Sequence, residues 1–122
     1  MLLDSNIIIY SVQPENHLLR EFVEGLTPSI SAISRAEVLG YRGLPPGVEN
    51  DFNQLFAMAT VLAVDHDVLS EAIGLRKQRK LGLGDSIIAG TALVHSLPLV
   101  TRNTKDFKWI DSITLIDPFE LG

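Results

Sequence analysis

Apolar and polar positions alternate along this chain in two rhythms. Short, nearly continuous apolar runs predict buried strands, and stretches with apolar residues every three or four positions predict amphipathic helices. Residues 1–4 (MLLD) form a run of the first kind that stops at an acid, with a short helix expected from near Asn6. Residues 15–24 carry Leu18, Leu19, Phe22 and Val23 at helical spacing, with Gly25 as a stop. Pro28 then introduces a small strand over residues 29–31. A helix is expected from Ser34 to about Tyr41, and the breaker GLPPG (residues 43–47) separates it from another at about 48–58. Residues 60–65 (TVLAVD) predict a buried strand ending at Asp65, followed by a long amphipathic helix over about 66–80. After LGLG, a strongly apolar helix is expected from Asp85 to about His95. Strands at residues 98–101 and 113–116 complete the pattern, the last closed by Asp117-Pro118.

Strands that alternate with helices imply parallel strands joined by crossover helices. The expected fold is therefore α/β, a three-layer α/β/α sandwich on a central parallel sheet, with residues 1–122 forming a single domain. In such folds ligands bind beyond the carboxyl ends of the strands. That rule directs attention to the polar residues following each apolar run.

Asp4 ends the first run, and it either caps the following helix or sits as a carboxylate over a site. Ser34-x-x-Glu37 matches a capping box, which alone would account for Glu37, although a glutamate there can also project from the layer edge. Asp85 follows Gly82 and Gly84 at a helix start, where the helix dipole favours an acid and glycines admit close approach of a bulky group such as a ribose-phosphate chain. The loop TRNTKDF (residues 101–107) follows another strand and offers Thr101, Arg102, Asn103 and Asp106. The topology gathers these acids at one edge, where carboxylates repel one another unless a cation neutralises them. Hard oxygen ligands suit Mg²⁺ or Mn²⁺, which can activate water against a phosphodiester.

Composition narrows the choices. With no cysteine, disulfides, thiolate metal sites and a cysteine nucleophile are excluded, and a reducing cytoplasm is the natural setting. No apolar stretch approaches the roughly eighteen residues of a membrane span, and no basic segment precedes an early apolar run, so neither a membrane protein nor a signal peptide is expected. A net charge of −5 argues against coating nucleic acid by bulk electrostatics, but not against an enzyme with cations on its rim. The run Arg76-Lys77-Gln78-Arg79-Lys80 can guide an RNA backbone or simply complement a helix end, and Arg102, Lys105 and Lys108 are similar rim candidates. His17, His66 and His95 show no ligand spacing.

In order and spacing, LLDSNIIIY, SAISRAEVLG, LGLGDSIIAGTAL and LVTRNTKDF, with a closing DPF, resemble the PIN-domain nucleases and most closely their VapC-type toxins. The resemblance implies a Mg²⁺- or Mn²⁺-dependent endoribonuclease, the toxin of a type II toxin–antitoxin pair, that forms a homodimer and binds a small VapB-like antitoxin. It implies catalytic roles for Asp4, Glu37, Asp85 and Asp106, with Asp4 and Asp85 holding the metal. Ser5, Asn6, Ser86, Thr101 and Asn103 would form the supporting shell, and hydrolysis by metal-activated water would leave a 5′-phosphate and a 3′-hydroxyl. The family often has aspartate directly after TR, where this chain has Asn103, so a second tightly held metal is not expected. A silent PIN-fold binding module, or a PIN nuclease of RNA processing without an antitoxin, remains the alternative. A haloacid-dehalogenase-like phosphatase would need a second aspartate where Asn6 stands, and a receiver domain would need an acidic pair near Asp4.

Overall fold

Five short strands, β1 (Leu2–Leu3), β2 (Ser29–Ser31), β3 (Thr60–Leu62), β4 (Leu99–Val100) and β5 (Leu115–Ile116), pair in the order β3-β2-β1-β4-β5, and every pairing is parallel. The computed structural model describes residues 1–120. Among these residues seven helices connect and flank the sheet: α1 (Ser5–Ser11), α2 (His17–Glu24), α3 (Ala32–Leu39), α4 (Pro46–Met58), α5 (His66–Gln78), α6 (Leu83–His95) and α7 (Thr104–Phe107). A single 3-10 turn, Pro14–Asn16, precedes α2.

Alternation along the central strands divides the core into two faces. Leu3, Ile30 and Val100 stand in register and pack with Ile7, Ile8, Val23, Val38 and Phe52 from α1 to α4. Leu2 and Leu99 point the other way, onto Leu75, Ile88, Ala92 and Phe107 from α5 to α7. This is the three-layer α/β/α sandwich expected. Buried on all sides from Ser86 to Ala92, α6 has no polar stripe, and the Thr91 hydroxyl is satisfied by the Ile87 carbonyl at 2.7 Å.

Strand order reverses at β1. From β1 the chain steps outward through β2 and β3, then returns to the opposite side for β4 and β5. The carboxyl ends of β1 and β4 therefore flank the crevice where an open α/β sheet binds its ligand. Asp4 and Thr101 occupy those ends, with the Asp4 N–H donating to the Val100 carbonyl at 2.9 Å.

Several boundaries differ from the sequence expectation. The pattern starts a helix at Ser34, but α3 starts at Ala32, because the Ser31 hydroxyl accepts from the Ile33 N–H at 3.3 Å and caps it. The Ser34/Glu37 capping box is therefore absent, and Glu37 lies in the second turn. The TVLAVD run gives a strand only to Leu62; β3 is a sheet edge with an exposed Val61, and Asp65 instead caps α5 by accepting from the Val68 N–H at 3.0 Å. Gly82, not Asp85, is the cap position of α6. The TRNTKDF segment, read as a turn, contains the one-turn helix α7.

Candidate active site

Asp4 leaves β1 directly into the crevice. It occupies the N-cap position of α1, where its carbonyl accepts from Ile7 and Ile8, but its side chain does not cap the helix. Instead Oδ2 accepts from the Thr101 hydroxyl at 2.8 Å, bridging the ends of β1 and β4. Asp4 is only 3% exposed, and burial is the main force raising its pKa. The Thr101 hydroxyl and the Ser5 backbone N–H oppose that rise, while the charges of Glu37 and Asp106 add to it.

Ser5, the next residue, reaches across to α3. Its Oγ lies 2.8 Å from both Ser34 Oγ and Glu37 Oε1. A hydroxyl has one proton and a carboxylate oxygen only accepts, so Ser34 donates to Ser5 and Ser5 donates to Glu37. Ser34, fully buried, thus takes the place that the capping-box reading gave it elsewhere: it directs the Ser5 proton toward the acid.

Glu37 is fixed from its far side by α6. A Cβ on Gly84 would stand 2.5 Å from Glu37 Oε2, whereas one on Gly82 would meet nothing. The space expected to admit a ribose-phosphate chain at Gly84 is thus filled by Glu37. Asp85 follows in the first turn of α6, and its pKa is pushed up to about 6 by burial first, then by the charges of Asp4, Asp106 and Glu37. Those interactions bring four acids, from β1, α3, α6 and α7, into one electrostatic neighbourhood. Among the described residues, no cationic side chain lowers the pKa of Asp4 or Asp85.

The remaining candidates divide. Thr101 is buried against Asp4 and also accepts from the Asn103 N–H at 3.0 Å, which fixes the loop carrying Asn103. Asp106 is exposed on α7, and its carbonyl accepts from the Trp109 indole N–H at 2.9 Å. Asn6 and Asn103 are half-buried at the crevice ends of β1 and β4. Ser86 is buried and donates to the Leu83 carbonyl at 2.6 Å, a bond internal to α6. In the basic run, Arg76 Nε donates to the Leu81 carbonyl at 3.2 Å and Arg79 lies over the Trp109 ring at 5.3 Å, leaving Lys77 and Lys80 exposed with Lys105 and Lys108.

Among the described residues, no three His, Asp or Glu side chains already stand close enough to cage a metal ion. The donor set nevertheless fits a hydrated Mg²⁺ or Mn²⁺. Such an ion keeps several waters and needs only one or two direct carboxylates. Mutually repelling acids without a neutralising cation are the electrostatic counterpart of that ion.

Beside the acids runs an apolar groove of about 410 Å³, lined by Ile9, Val12, Tyr41, Leu44, Val48 and Phe52 and bordered by Glu37. The 41–48 segment supplies Tyr41, Leu44 and Val48 to this groove. The 15–24 segment does not line it: Leu19 and Val23 are in the core and Leu18 faces solvent.

A sequence profile for the PIN domain matches residues 1–112. No curated protein matches the chain. Among solved structures, the chain is similar to one from a toxin–antitoxin complex of Klebsiella pneumoniae, with 31% identity, 96% of each chain covered and a TM-score of 0.75. It is also similar to FitAcB from Neisseria gonorrhoeae, at 26% identity over 98% of this chain and 99% of that one, with a TM-score of 0.81. VapBC-1 from nontypeable Haemophilus influenzae matches at 29% identity over 95% and 96%, with a TM-score of 0.74.

Proposed function

The chain belongs to the PIN domain family, and from that membership we propose that it is a divalent-metal-dependent endoribonuclease, the toxin of a type II toxin–antitoxin pair. The observation that carries this reading is the meeting of four acids at the switch point of the sheet with no cation to offset them. A pocket of that kind suits a hard divalent ion and, through it, a phosphodiester.

Asp4 and Asp85 would hold the cation, with Asp106 and the Asn103 carbonyl in the outer shell. When bound, the ion supplies charge neutralisation at the phosphate and lowers the pKa of water. Asp4 is kept in place by Thr101 and by the strand register. Glu37, oriented by Ser5 and Ser34, accepts a proton from the attacking water. The water oxygen would bond to phosphorus as the P–O3′ bond breaks, the leaving O3′ would take a proton from solvent, and the products would be a 5′-phosphate and a 3′-hydroxyl.

The structural relative from Klebsiella is part of a toxin–antitoxin complex. For this chain we place a small antitoxin in the apolar groove beside Glu37, where an apolar partner segment would cover Tyr41, now 71% exposed, and block access to the acids. Leu69 and Ile73, one turn apart on α5 and 41% and 55% exposed, are available for a homodimer contact. A cysteine-free chain is in keeping with a reducing cytoplasm.

The decisive experiment incubates purified protein, free of any partner, with structured RNAs in Mg²⁺ or Mn²⁺ beside an Asp4→Asn, Asp85→Asn double variant. Cleavage that needs the metal and disappears in the variant is expected. Cleavage that survives EDTA or the double substitution rules out the metal–carboxylate assignment. No cleavage of any RNA, with no Mn²⁺ binding, identifies a silent binding module.

A further inference from the structure

Most arginines of known contact are already engaged. Arg20 pairs with Glu24 at 3.1 Å, Arg76 is bonded to the Leu81 carbonyl, Arg35 lies over Phe56 and Arg79 over Trp109. Arg102 differs in being held by two rings at once. Its Cζ lies 4.3 Å from the centroid of Phe119 and 5.4 Å from that of Tyr10, and the two rings meet edge to face at 5.5 Å and 83°. Among the described residues its guanidinium makes no hydrogen bond and no ion pair.

Two of the three members of this cluster come from segments that begin at Asp4 and at its partner Thr101. Tyr10 is one turn beyond Asn6 on α1, the helix that starts immediately after Asp4. Arg102 lies between Thr101, whose hydroxyl donates to Asp4, and Asn103, whose N–H donates to that same hydroxyl. Phe119 is set by the Asp117 side chain, which accepts from its N–H at 2.9 Å. The cation is thus fixed in position relative to Asp4 before any substrate arrives.

Contact with an aromatic ring holds a guanidinium in place without using its N–H donors, which stay free to match a phosphate bidentately. A polyanion approaching a chain of net charge −5 needs such a fixed cation, here one residue from Thr101 yet not close enough to lower the pKa of Asp4 or Asp85. Building on the nuclease reading, we infer that Arg102, packed on the edge-to-face pair of Tyr10 and Phe119, grips a phosphodiester of the RNA backbone next to the one that is cut. Phe119, from the closing DPF segment, is its positioning residue. The lysines of the rim are unstacked point charges and contribute only diffuse attraction.

Steady-state cleavage of a single-stranded oligoribonucleotide in Mn²⁺, repeated across a salt series, tests this. Arg102→Gln is expected to raise KM about tenfold with kcat within about twofold. The slope of log KM against log salt should become shallower by about 0.7, the value for one lost single-strand phosphate contact. Phe119→Leu keeps the charge but removes one stacking face, so KM rises less and the slope stays that of the parent. An Arg102→Gln enzyme with parental KM and slope overturns the inference. So does one that loses thermal stability and kcat while keeping the slope, because Arg102 then only fastens the C-terminal segment. If Arg102→Gln does not fold, Arg102→Lys decides: an unchanged KM overturns the contact, and a raised KM supports it. A parent protein that cleaves no RNA sinks the nuclease reading and this inference with it, whereas a cleaving parent with an indifferent Arg102→Gln sinks the inference alone.

Discussion

Gly84 and Glu37 share one space, and only one of them can fill it. A methyl group on Gly84 would fall 2.5 Å from Glu37 Oε2 and 3.1 Å from its Cδ. Because the obstacle is the end of a flexible side chain, the glutamate can swing away at little cost to the fold. Alanine also favours the helix over glycine by roughly 0.5–1 kcal/mol. Gly84→Ala should therefore melt at the parental temperature or above it while RNA cleavage falls at least about tenfold, checked by thermal denaturation beside initial rates. Parental activity in this variant would remove Glu37 from the proposed chemistry. Ser5→Ala should act on the same carboxylate by another route. It deletes the donor at 2.8 Å and leaves the Ser34 hydroxyl without its acceptor, so activity should drop with a stability loss of about 1–2 kcal/mol in urea titration. Asp4 and Asp85 were legible in the sequence because one ends a strand and the other falls in the first turn of a helix, whereas Glu37 and Asp106 lie inside α3 and α7. The Ser34–Ser5–Glu37 chain was not, since Ser34-x-x-Glu37 matched a local capping pattern and only tertiary packing shows the serine facing Ser5.

Helix α6 contains a second glycine whose substitution should have the opposite effect. At Gly90 a Cβ would meet the Val68 carbonyl oxygen at 2.7 Å and the Ala72 nitrogen at 3.2 Å, both backbone atoms of α5. Backbone cannot swing aside, so α5 and α6 would have to separate. Gly90→Ala is expected to destabilise the protein by roughly 1–3 kcal/mol, read as a lower urea midpoint with an unchanged slope. The sequence showed α6 as an apolar helix but not that α5 lies directly against it, because a glycine inside a helix looks the same whether it faces solvent or a neighbour. Other elements were misjudged for local reasons. Ser31 capped α3 earlier than Ser34 could, and TVLAVD looked buried because apolar composition does not distinguish a central strand from the exposed edge that β3 forms. The one-turn helix α7 is too short to leave a periodic signal.

At the scale of the whole molecule, parallel topology brings residues as distant as Asp4 and Asp106 into one electrostatic neighbourhood, and that much followed from alternating strands and helices. What the alternation could not supply was the electrostatic outcome, which depends on burial and on the absence of an offsetting cation. Asp85 shows the consequence. Its pKa rises from an ordinary 3.8 to about 6 in the folded chain, so between those values the folded state holds more protons than the unfolded one. Folding stability from this group is therefore lost as pH rises through that window, and the loss is complete above about 6. In EDTA at neutral pH, Asp85→Asn should melt a few degrees above the parent, and the gap should close as pH falls toward 4. Mn²⁺ binds the ionised acids and competes with protons, so it should raise the parent's melting temperature more at neutral pH than at about pH 5, and raise that of Asp85→Asn much less. Thermal scans of both proteins, with and without Mn²⁺ at neutral pH and at about pH 5 and 4, measure each of these differences. If Asp85→Asn melts below the parent in EDTA at neutral pH, the strain is not electrostatic, and a site built to be completed by a cation is the wrong description of this pocket.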